Sequence, residues 1–152
     1  MRFAGPGLML VIALLQGGCF IGTALEVAKS EPIGTVNLSS AALGKHTLTP
    51  AACTSGERQL FLGADFLDSQ GITTRLIVDP AGAVSLRLFA ADHPLDEGLL
   101  FRRQDCGRFQ LSLDRTGWRV NDVYDLRVSL EFDCRAASGD TAEGSLRVDH
   151  CH

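Results

Sequence analysis

The chain has 152 residues, 45% of them apolar and 21% charged, with a formal net charge of −4. That length supports one domain with one buried core, and the composition excludes the apolar-poor, highly charged disordered class. The acidic balance, with no basic run longer than Arg102-Arg103, excludes the positive footprint that nucleic-acid binding needs.

The first segment reads as an export signal. Arg2 and the amino terminus carry positive charge, residues 8–15 (LMLVIALL) are apolar without interruption, and Gly17 and Gly18 lead to Cys19. This is the order of a secretory signal, and the apolar run is far shorter than the roughly 20 residues a permanent membrane helix requires. The segment resembles the signal of bacterial lipoproteins, with Gly18-Cys19 at the last two positions of the motif that marks lipid attachment. The resemblance implies lipidation of Cys19 and a chain held at a membrane of the bacterial envelope through that lipid. Gly22-Thr23-Ala24 offers the alternative of ordinary cleavage after Ala24, which would leave a periplasmic or secreted protein. The expected organisation is a signal at 1–18, a tether at 19–33 and a single β-domain at 34–152.

Within that domain no stretch sustains helical periodicity, although residues 38–43 suit a single helical turn. Val36 and Leu38 start a first strand, and a further strand is expected over 57–66. The clearest pattern lies at 73–90. Thr74, Leu76 and Val78 alternate with Arg75, Ile77 and Asp79, and Val84, Leu86 and Leu88 alternate with Ser85, Arg87 and Phe89. Asp79-Pro80-Ala81-Gly82 between them is turn chemistry, because Pro presets φ and Gly accepts the left-handed conformation. Pairing Leu76 with Leu86 and Val78 with Val84 gathers the apolar side chains on one face. Residues 99–101 form a strand or a plug. Strands at 109–113 and 126–134 alternate in the same way, joined by a connection at 114–125 that contains Thr116-Gly117 and Asn121-Asp122, and a last strand covers 144–150. Seven or so short strands with wet and dry faces predict an all-β fold, a small antiparallel β-sandwich or, alternatively, a flattened barrel.

The five cysteines are Cys19, Cys53, Cys106, Cys134 and Cys151. Lipidation or removal of Cys19 leaves four, which an exported chain oxidises. Folding back through 114–125 makes facing residue numbers add up to about 240, so Cys106 meets Cys134. Cys53 and Cys151 then pair. Folding back at 135–143 sets Cys151 opposite residue 126, too far from Cys134 for a bridge. Cys106 has the opposite parity to Phe109, so a bulge is expected at Gly107.

Few residues suggest chemistry. His150 and His152 project to one side of an extended strand, and with His93 or His46 they are candidate zinc or copper ligands. A bridged Cys151 cannot contribute a thiolate, which leaves two imidazoles at the tail and no expected cofactor. Asp65, Asp68 and Ser69, and Asn121, Asp122 and Asp125, are oxygen clusters of the kind that bind calcium, but turn capping accounts for both. Ser55-Gly56 lacks the surroundings of a nucleophile elbow. Trp118 and Tyr124 with Arg115 and Arg119 suit cation–π stacking. The function expected is a non-enzymatic envelope module that binds a protein partner or scaffolds. The alternatives are a metal-binding protein or metal-dependent enzyme using the C-terminal histidines, and a secreted inhibitor-like domain.

Overall fold

The computed structural model describes residues 30–90 and 98–152. The signal segment, Cys19, the Ala24 cleavage alternative and His93 lie outside the described residues. Among the described residues ten strands follow in chain order: β1 (Ile33–Ser40), β2 (Gly44–Leu48), β3 (Pro50–Ser55), β4 (Leu62–Asp68), β5 (Ile72–Val78), β6 (Val84–Ala90), β7 (Leu99–Arg102), β8 (Cys106–Val120), β9 (Val123–Arg135) and β10 (Thr141–Cys151). They form two five-stranded antiparallel sheets, ordered β2-β1-β10-β9-β8 and β3-β4-β5-β6-β7. The sheets pack face to face as an all-β sandwich, and side chains of both fill one core.

Alternation makes that core. Along β9, Leu126, Val128, Leu130, Phe132 and Cys134 are buried while Arg127, Ser129, Glu131, Asp133 and Arg135 are exposed. Phe66, Leu76, Leu86, Leu88 and Phe101 meet them from the second sheet. Each fully buried Leu or Phe contributes roughly 2 kcal/mol of transfer free energy. The β5–β6 hairpin has the expected register, Leu76 opposite Leu86 and Val78 opposite Val84. Its turn closes through Gly82 N–H donating to the Asp79 carbonyl, with Gly82 at φ 83°.

Both disulfides follow the expected pairing. Cys106 faces Cys134 across β8 and β9, and the register shifts by one between Cys106 and Arg108, placing a bulge at Gly107. Cys53–Cys151 ties β3 of the second sheet to β10 of the first, while Cys151 lies opposite Leu126 on β9.

Several boundaries differ from expectation. No strand runs through 57–66: β3 ends at Ser55, a 3₁₀ turn occupies Gly56–Gln59, and Leu60 at φ 65° reverses the chain into β4. The Phe61 ring packs where a Cβ on Gly56 would stand. The strand before it, Pro50–Ser55, escapes notice because its residues are small. Residues 38–43 make no helical turn; β1 continues to Ser40, whose Oγ accepts the Ala42 and Leu43 N–H groups at 3.0 and 3.2 Å. The connection at 114–125 is no loop either. β8 and β9 continue to a two-residue turn at Asn121-Asp122, both at positive φ (50° and 66°) as a type I′ hairpin requires. Residues 99–102 are a strand, and Ser30, assigned to the tether, already docks on β10 by accepting the Asp149 and His150 N–H groups.

Candidate functional site

One end of the sandwich buries Ser55, Asp125 and His152 close to the chain's two clearest strand irregularities. It is built from the end of β3, the 3₁₀ turn, the distal half of the β8–β9 hairpin and the end of β10. Two irregularities shape it. Between Arg115 opposite Leu126 and Arg119 opposite Tyr124, residues 116–118 stand opposite Asp125 alone. The bulge turns Thr116 toward Asp125 and leaves Trp118 outward, 55% exposed. A second bulge lies between Val148 and Cys151 on β10, where the Ser30 hydroxyl holds two of the freed N–H groups.

Asp125, fully buried, sits where these irregularities meet. Its Oδ2 accepts the Thr116 hydroxyl at 2.6 Å and lies 2.8 Å from His150 Nδ1. Its Oδ1 lies 3.6 Å from His152 Nδ1, beyond hydrogen-bond range. Asp125 Oδ1, His152 Nδ1 and the buried Ser55 Oγ have no hydrogen-bond partner among the described residues. Glu57 seals the seam between the sheets: one carboxylate oxygen accepts the Tyr124 N–H at 3.0 Å and the other pairs with Arg115 at 2.5 Å. The Arg115 and Arg119 guanidinium groups lie 4.7 and 4.9 Å from the Tyr124 ring centroid.

The structure brings His150 and His152 to Asp125 and gathers Arg115 and Arg119 on Tyr124, whereas Trp118, grouped with them in the sequence, points outward. His46 stands apart on β2, its ring nitrogens near the Leu43 carbonyl (2.5 Å) and Gln70 (3.3 Å). Among the described residues no three His, Cys, Asp or Glu side chains form a metal-binding group. The two oxygen clusters are dispersed. Asp68 caps its own turn through the Gln70 N–H at 2.6 Å, and Asn121 and Asp122 form the hairpin turn. A buried Asp against a His Nδ1 is the orienting half of a catalytic triad or of a carboxylate–histidine–metal relay. Among the described residues no hydroxyl or thiol nucleophile completes it.

Two features were not anticipated from the residues. On the outer face of the second sheet, Arg75 and Asp65 form a buried bidentate pair at 2.7 and 2.6 Å, with the Gln59 Oε1 accepting from Arg75 at 2.5 Å. The Phe61 and Phe89 rings flank the guanidinium at 4.6 and 5.4 Å. The turn at Asp68-Ser69-Gln70-Gly71 held the clue, since folding back there sets Asp65 opposite Arg75. The second feature is Leu60, 97% exposed at the end of the 3₁₀ turn. Compared with family models, curated proteins and solved structures, the chain has no significant match to any of them, so the fold and the geometry of this end are what bear on its function.

Proposed function

We propose that the chain is an exported, lipid-anchored envelope module that binds a protein partner, without catalysis, through the end of the sandwich that carries Leu60 and Trp118. The observation behind this reading is Leu60. A leucine at φ 65° and 97% exposure carries the steric cost of the left-handed region, roughly 1–2 kcal/mol, which Gly would avoid. It recovers nothing by burial. Trp118 is exposed on the hairpin that Glu57 clamps to the turn bearing Leu60. Tryptophan held outward on a braced scaffold is a frequent anchor of protein–protein interfaces, and Leu60 adds exposed apolar area at the same end.

The order of Arg2, the apolar run and Gly18-Cys19 supports the anchor, and two disulfides suit an oxidising envelope compartment. C19A should leave the precursor unprocessed or free the chain from the membrane fraction. Fractionation and migration like wild type would remove lipidation from the reading. The binding surface is tested by placing a photo-crosslinking residue at Leu60, at Trp118 or at the exposed Glu143 of β10 and irradiating intact cells. The first two positions should trap a defined protein that the third does not. Equal yields at all three would sink the proposal.

A further inference from the structure

The longest strand of the first sheet, β8, is also its edge. Its 15 residues pair with β9 alone, so one row of backbone N–H and C=O groups has no ladder partner among the described residues. Exposed edges are normally interrupted by proline, bulges or inward charges. β8 has a bulge at Gly107 and another at 116–118, yet between them the ladder is regular from Arg108 to Arg115. Over that stretch Phe109, Leu111 and Leu113 face the dry side and Arg108, Gln110, Ser112 and Asp114 the wet side. The dry side is only partly covered. Leu111 and Leu113 are half-buried, whereas Leu130 and Val128 opposite them on β9 are at most 1% exposed.

We propose that this edge pairs with the same edge of a second copy of the chain, antiparallel about a two-fold axis at Leu111. In that register Leu111 faces its own mate, Phe109 faces Leu113 of the other copy, Gln110 faces Ser112, and Arg108 faces Asp114. The two-fold axis makes the Arg108–Asp114 pair form twice. Arg108 and Asp114 make no ion pair with another side chain among the described residues, and Asp114 accepts only the Ser112 hydroxyl at 2.9 Å. Alternative registers lose this match. Sliding by one residue sets wet faces against dry ones. Moving the axis to Gln110 sets Arg108 against Ser112, and moving it to Ser112 sets Arg108 against Thr116. The result is one ten-stranded sheet running through both copies, an isologous interface of the kind that closes a two-fold dimer.

The test is register-specific crosslinking in cells that produce the full chain. Directly opposed residues of an antiparallel pair have Cα atoms about 4.5–5.5 Å apart, within reach of a disulfide. L111C should therefore run as a covalent dimer on non-reducing gels. L113C should not, because its mates stand four residues out of register. Sedimentation of the purified full chain gives a second readout that leaves the core and native cysteines untouched. R108D and D114R, each alone, should weaken the dimer roughly tenfold or more, since both charge pairs become repulsive. Mixing the two variants, or combining both changes in one chain, should restore it. A wild-type chain that stays monomeric at its highest soluble concentration overturns the proposal. So does a dimer indifferent to these charge reversals, or equal crosslinking at 111 and 113.

Discussion

The bridge between Cys53 and Cys151 sets how firmly the two sheets hold together at the candidate site. It closes a span of 98 residues, and the Cys106–Cys134 bridge short-circuits 28 of them. About 70 residues are then effectively closed by the longer bridge when the shorter one is intact. Loop-closure entropy for that length corresponds to about 4.4 kcal/mol at 25 °C. The double variant C53A/C151A should lose about that much. With an unfolding entropy of roughly 2.1 cal/mol/K per residue over some 120 residues, Tm should fall by about 17 °C. Urea unfolding followed by far-UV circular dichroism, with C106A/C134A as the companion, measures it. The loss acts first at the candidate site: Cys151 is flanked by His150 and His152, so His150 exchange and solvent contact should rise before global unfolding. A loss below about 2 kcal/mol would refute the calculation, since chain entropy would then not be the main effect of the bridge.

R75M should cost about 3–5 kcal/mol in the same assay, because it strands the buried Asp65 carboxylate, and R75M/D65L should recover a large part of that. G34A should prevent stable folding or shift Tm by more than 10 °C, since Gly34 sits at φ 122° with the Ser145 carbonyl where a Cβ would be placed; thermal melts decide it, at about 4–8 °C per kcal/mol for a small domain. The Asp140 carboxyl is held below its ordinary 3.8 by the Ser138 hydroxyl and then by the Ala41 N–H. A lowered folded pKa stabilises above the unfolded value and is lost as pH falls through the folded one, so the stability gap between wild type and D140N should close from about pH 5 downward. Urea midpoints across that range check it, and a gap that widens in acid contradicts the sign. Calorimetric titration of zinc into the oxidised chain should give binding no tighter than about micromolar, because two imidazoles fall short of the three protein ligands a catalytic zinc takes; stoichiometric submicromolar binding abolished by H150A/H152A would restore the metal reading.

What the residues determined alone was local and periodic. The period of two sorted Leu126 to Cys134 into buried and exposed sets, and Asp79-Pro80-Ala81-Gly82 fixed the β5–β6 register. Counting back across one connection brought Cys106 to Cys134 and required the bulge at Gly107. This held although the connection proved to be continuous strand, because pairing register depends on where the chain reverses and not on how far the ladder extends toward the reversal. Tertiary structure decided the rest. Asp125 reads as a turn residue in sequence and becomes fully buried only because two bulges on different strands turn Thr116 and His150 onto it. Arg75 alternates as a wet-face residue, yet it is buried because the 3₁₀ turn brings Gln59 and Phe61 over it from another part of the chain. Glu57 joins the sheets because that same turn lies beside Tyr124. Each depends on which sheet edges and ends come together, and side-chain periodicity carries information about faces but none about edges or ends.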